Sequence, residues 1–262
     1  MAVQLTNARE SRAAATTIDE VLAQLDAIIE RAIAERDRLG FFAVLYRTVT
    51  ASVKDGIAAG RFQDGPRMER LDVVFANRYL DALDRYRRGE SPSHSWLVAF
   101  RAAAKRRPVI MQHLLLGMNA HINLDLGVAA AEVCPGDTLA GLEHDFNEIN
   151  TVLATLETNV EREVCSLSPW IDRLDHIDPN AGRVVANFSM DKARACSWKT
   201  AQRLAPLAPV ERAAEIDRLD RDIAVLAGLI ERPIGFMLGL NLMLVRLRET
   251  GDARRVMATL RK

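Results

Sequence analysis

Residues 109–128 read VIMQHLLLGMNAHINLDLGV, an apolar helix that carries two histidines, an aspartate, a glutamine and two asparagines. At about 100° per residue, His113, Gly117, His121 and Asp125 share one stripe. Gln112, Asn119 and Asn123 share another, and Leu115, Met118 and Ile122 lie between them. A buried polar group left without a partner costs roughly 1–3 kcal/mol. The helices that pack here must therefore bring complementary polar groups. The stretch predicts a central buried helix, 109–131, around which the rest of the chain is arranged.

Upstream, MERLDVVFANRYLDALDRYRRG places Met68, Leu71, Phe75, Tyr79, Ala82 and Tyr86 on one face, with Arg78 in its middle and Asp72 at its edge. Arg78 either snorkels to water or needs an acid, and Asp125 of the central helix is the acid on offer. The stretch from Phe41 to Ile57 puts Tyr46 inside an apolar face, where its hydroxyl needs a partner and either packs or acts catalytically. Before it, Thr17 precedes an amphipathic helix ended by Gly40, and Ser93 or Ser95 with Pro92 starts another helix at SPSHSW.

Downstream, Leu139, Leu142, Phe146, Ile149, Leu153, Leu156 and Val160 form a helical seam. His144 and Glu148 fall nearly opposite it, on a face rich in Gly, Ala and Thr. That face is either solvated or packed against a second helix. SLSPWIDRLDHIDPNAG, with Asp172, Asp175, His176 and Asp178, reads as a short helical turn and loop. A helix to Leu204 follows, with Val184, Phe188, Ala195 and Trp198 inward and Asp191 and Arg194 beside them. Ile216 to Ile230 is a regular seam, and IGFMLGLNLMLVRLRE is expected to be buried. No alternating strand pattern or internal repeat is present. The expected fold is all-α, one domain of eight to ten helices over residues 17–262, after a polar lead at 1–16.

Thirty-five Lys and Arg balance 35 Asp and Glu in 262 residues, so no global field recruits nucleic acid. Cys134, Cys165 and Cys196 show no paired spacing and read as reduced thiols. The first residues lack the continuous apolar run of a secretory signal. Ile234 to Val245 is too short to span a bilayer, so no transmembrane segment is expected. A cytoplasmic protein is the expectation.

Four residues apart, His121 and Asp125 are separated by about 6 Å of rise on one helix face, a spacing that can hold one divalent metal ion: zinc foremost, iron or manganese as alternatives. Gly117, one turn before His121, leaves room for an ion or a substrate atom. His113 lies about 12 Å further back and is a separate polar residue.

GMNAHINLDL resembles the G-x-x-A/S-H-x-x-x-D stretch of the zinc-dependent phospholipase C superfamily, all-helical proteins that include single-strand nucleases. The resemblance implies that His121 and Asp125 ligate zinc and that a later H-x-x-x-E pair, here His144 and Glu148, completes the set. It covers residues 117–148. The family also uses an N-terminal tryptophan and further histidines that this chain lacks. Asp72 is a substitute for its early aspartate without a supporting motif. The NAHINLDL stretch is similar as well to that of an uncharacterised bacterial family, which implies no known activity.

The leading expectation is a metal-dependent hydrolase in which a metal-bound water attacks, acting on a small-molecule substrate of lipid-like or phosphoester type. Arg78 would stabilise an anionic transition state, and Asn119 or Asn123 would orient the substrate. The competing class is a non-catalytic helical ligand-binding or assembly protein, with His121, Asp125, Arg78 and Tyr46 as a satisfied core network. A diiron oxidase-type bundle ranks below both, because the paired Glu-x-x-His spacing is absent.

Overall fold

Thr17 accepts a hydrogen bond from the Glu20 amide at 3.2 Å and starts α1 (Ile18–Glu35), which Arg36 closes in the left-handed conformation at φ 56°. The computed structural model describes residues 12–151, 167, 190–234 and 236–261. α2 (Gly40–Ala58) packs antiparallel to α1. α3 (Gly65–Arg87) begins where the Asp64 carboxylate accepts from the Arg67 amide at 2.9 Å, and α4 (His94–Ala103) begins at the Ser93 hydroxyl. The polar lead is not wholly outside the fold. Ala15 is buried, and Asn77 of α3 accepts from its amide at 2.9 Å and donates to its carbonyl at 2.8 Å.

The central helix runs from Ile110 to Val133 in three parts: α5 (Ile110–Met118), a π-helical segment (Asn119–Leu126) and α6 (Gly127–Val133). By length and composition it could cross a membrane, but 89% of that window is buried within the protein, which is the setting of a core helix. Its N-terminus is capped from two directions. Gln112 Oε1 accepts from the Val109 amide at 3.0 Å, and the Glu249 carboxylate accepts from the Ile110 amide at 3.1 and 3.2 Å.

After a short 3-10 turn (Gly136–Leu142) and a helical stretch at 143–151 come α7 (Met190–Leu204), α8 (Pro209–Glu231), α9 (Phe236–Arg248) and α10 (Ala253–Leu260). α7 crosses the central helix at Gly127, where an added Cβ would lie 2.7 Å from the Ser197 carbonyl. α10 packs on α1 and α2 through Val256, Met257 and Leu260. The fold is all-α, one compact domain built around the central helix, with no strand among the described residues. Two expectations differ. α9 was expected to be buried, yet Met243, Leu244 and Leu247 are exposed. The outer seam positions Leu153, Leu156 and Val160, the loop residues Asp172 to Asp178, and Val184 and Phe188 lie outside the described residues.

Candidate functional site

The polar stripe of Gln112, Asn119 and Asn123 finds the partners its burial demands on α8. Gln112 donates to the Ile230 carbonyl at 2.7 Å, Asn119 donates to the Ile223 carbonyl at 3.2 Å, and Asn123 donates to Asn119 Oδ1 at 2.9 Å. Asn119 and Asn123 thus dock a helix, which accounts for both side chains without a substrate.

Asp125 is the hub of the other stripe. Its Oδ1 accepts from Arg78 Nε at 2.9 Å, and its Oδ2 accepts from Trp96 Nε1 at 2.8 Å and faces His121 Nδ1 at 3.5 Å. The acid expected for Arg78 is therefore the one it has. Arg78 keeps 28% of its side chain exposed while Asp125 keeps 2%, so the pair joins a buried carboxylate to a guanidinium that reaches water. Trp96 escaped sequence reasoning. The available signal was its indole N–H, which must find an acceptor when buried.

His121 is enclosed by aromatic rings. Phe75 stacks on it with ring centroids 3.6 Å apart and planes 10° apart, Tyr46 meets it edge-on at 4.3 Å, and Phe42 at 5.5 Å. Burial pulls its pKa below the ordinary histidine value, against the opposing pull of Asp125. The ring is therefore neutral at physiological pH, and the contact to Asp125 selects the tautomer with the proton on Nδ1. That leaves Nε2 as an acceptor, and it has no hydrogen-bond partner among the described residues.

Further polar atoms in this region are also unpaired. The Tyr46 hydroxyl and the Thr50 hydroxyl are neighbours that do not reach hydrogen-bonding geometry. Burial, then the charges of Asp72 and Asp125, push the Tyr46 phenol well above its ordinary pKa. Asp72 is 7% exposed, its Oδ2 is unpaired, and burial raises its carboxyl to about 7. Polar atoms without a partner among the described residues thus gather where α2, α3 and the π segment meet. Such strained polar sites, like π segments themselves, concentrate at functional positions.

The two H-x-x-x-[DE] pairs do not converge as a metal site. His121 turns Nδ1 toward Asp125, so the space an ion would share between them is closed by their own contact. Both Asp125 oxygens are engaged by Arg78 and Trp96. His144 is 59% exposed and faces Asp145 at 3.5 Å, and Glu148 is half-buried on the same helical stretch. Among the described residues no group of three or more His, Cys, Asp or Glu is placed to hold an ion. The residues present do not fit the expected zinc, iron or manganese. The room expected above Gly117 is filled as well, because a Cβ there would lie 2.5 Å from the Phe42 ring. The reason for the misplacement is the seam Leu139, Leu142, Phe146 and Ile149, all buried, which turns His144 outward.

Asp145 and Asp220 are buried acids that the sequence did not single out. Asp145 accepts from the Gln63 and Asp64 amides at 2.7 and 3.0 Å and from Arg67 at 2.9 Å. Burial acts to raise its pKa, but these donors hold it below the ordinary value. Asp220 of α8 caps α4 through the His94 and Ser95 amides at 2.6 and 2.9 Å. Both fix the scaffold around the site.

A family model described as a family of unknown function (DUF5995) matches residues 18–233. No curated protein and no solved structure matches the chain. None of these comparisons connects the chain to the zinc-dependent phospholipase C superfamily.

Proposed function

The chain belongs to DUF5995, a family of unknown function, and we propose that it binds a small, largely apolar molecule carrying one O–H or N–H donor, seated against His121. One observation carries this reading: His121 is held in a single tautomer by a carboxylate fixed by Arg78 and Trp96, while its Nε2 is buried and unpaired. An oriented acceptor among Phe42, Phe75 and Tyr46 matches the usual ligand site, apolar walls with a few placed polar groups. Phe75 is half-buried and lies flat on His121, so its rotation is the way in. The competing hydrolase reading needs an ion that these residues do not hold.

A second reading is favoured by Asp72. A carboxyl near pKa 7 whose charge acts on the Tyr46 phenol, itself in ring contact with His121, can give and take protons at physiological pH, so the same region suits proton transfer on the bound molecule. The test for both starts with phenol as a probe. Titration followed through the His121 ring signals should show saturable binding that Asp125→Asn weakens and Phe75→Ala accelerates. No saturable response, or near-stoichiometric zinc, iron or manganese in protein purified without a metal-affinity tag, would contradict the reading, the second result reviving the hydrolase.

A further inference from the structure

A second group of unpaired polar atoms lies on the other side of Phe42. A cavity of ≈ 20 Å³ opens between α2, α3, α4 and α5, lined by Arg38, Phe42, Tyr79, Trp96 and His113 among others. That space holds one water-sized group. His113 is 7% exposed and Tyr79 is 1% exposed, and His113 Nε2 and the Tyr79 hydroxyl both lack a partner. A donor on Tyr79 and an acceptor on His113, lining one opening, call for a polar group that can accept from the first and donate to the second.

The charges around the opening are biased. Arg38 donates to the Ala103 carbonyl at 3.4 Å, which leaves most of its N–H groups unused. Arg106 and Arg246 are close enough to act on the charge of Arg38, and Arg38 and Arg246 also act on His113. The nearby acids offset part of this charge: Glu249 pairs with Arg246 at 3.7 Å besides accepting from the Ile110 amide, and Asp37, which accepts from the Leu39 amide at 3.0 Å, acts on the charge of Arg38.

We infer that this opening is a binding site for a small oxyanion that carries its own O–H, a hydrogen phosphate group, held by Arg38 with Tyr79 donating to its inner oxygen and that oxygen's O–H donating to the bare Nε2 of His113, whose Nδ1–H is used on the Pro108 carbonyl. A planar guanidinium suits such groups because it can donate two parallel hydrogen bonds. The small cavity limits the buried part to a single oxygen, with the remainder at the mouth beside the arginines. Burial, then the charges of Arg38 and Arg246, hold His113 neutral with a pKa near about 3. An oxyanion introduces the opposite charge at that position, so His113 reports its arrival. This site does not rest on the His121 reading, since its polar groups are a different set.

The experiment titrates sodium phosphate, and separately sodium acetate, into the full chain at constant ionic strength, with sodium chloride as the control, and follows the His113 ring by NMR. A saturable shift with phosphate, which keeps an O–H, but not with acetate or chloride is expected, and an acetate response equal to that of phosphate would overturn the assignment. Arg38→Gln should weaken it about tenfold, and Tyr79→Phe should weaken it while unfolding at the same temperature as the parent. A response equal to that of chloride, or one that Arg38→Gln leaves unchanged, would overturn the site. His121 signals serve as the internal reference: their response to phenol is independent of either result.

Discussion

Trp96 Nε1 and Asp125 Oδ2 are 2.8 Å apart, and this bond ties α4 to the π segment at the point where Arg78 of α3 also arrives. Asp125 is thus shared by three helices. Replacing it by alanine strips acceptors from a buried indole and from a partly exposed guanidinium. Asp125→Ala should cost about 3 kcal/mol in urea unfolding. Asp125→Asn, which can still accept from Trp96, should cost less. Equal stability of parent and Asp125→Ala would remove the hub from the account.

Asp72 gives the protein a pH signature. Its folded pKa of about 7 lies above the ordinary carboxyl value of 3.8, so between those values the folded state binds the proton and the unfolded state has lost it. Stability from this group is therefore full at low pH and declines as pH rises through that window. The total is about 4 kcal/mol. Asp72→Asn should be more stable than the parent at pH 8 and should differ little from it near pH 4. Denaturant midpoints at the two pH values check this, and parallel curves for parent and variant would contradict it. Buried His113 and His121 slope the other way, but they are common to both proteins and cancel.

Gly117 is set by contact. Because an added Cβ meets the Phe42 ring at 2.5 Å, Gly117→Ala must displace a ring that touches His121, Tyr46, Tyr79 and Trp96. A loss of about 1–3 kcal/mol is expected, with changed His121 ring shifts in the same sample. Helix propensity alone would give a small gain, so increased stability is the contrary result.

His144→Ala and Glu148→Ala should each shift stability by less than about 0.5 kcal/mol, because His144 is exposed and Glu148 is half-buried. Thermal melts of both variants decide it. A large loss in either would mean that this face is packed.

The fold was legible where the period of the apolar residues and the caps agree, as for α1 with Thr17 and α4 with Ser93. The Arg78–Asp125 pair was legible for a different reason: a cation on an apolar face and an acid on a buried helix each need the other. Two features were not. The π winding of Asn119–Leu126 depends on tertiary partners such as Ser197, which donates to the Ile122 carbonyl from α7, and no local residue announces it. The His144–Glu148 pair repeats the spacing of His121–Asp125, but spacing carries no information on which way a face turns. The buried seam at Leu139 to Ile149 does.

The central claim is that His121 is a neutral, oriented acceptor, and its ring nitrogens report this directly. Long-range proton–nitrogen NMR of selectively labelled protein, recorded from about pH 5.5 to 8, should show a proton on Nδ1 and a bare Nε2 throughout. Asp125→Asn should disturb that tautomer. A His121 that titrates within this range, or one carrying its proton on Nε2, would contradict the account.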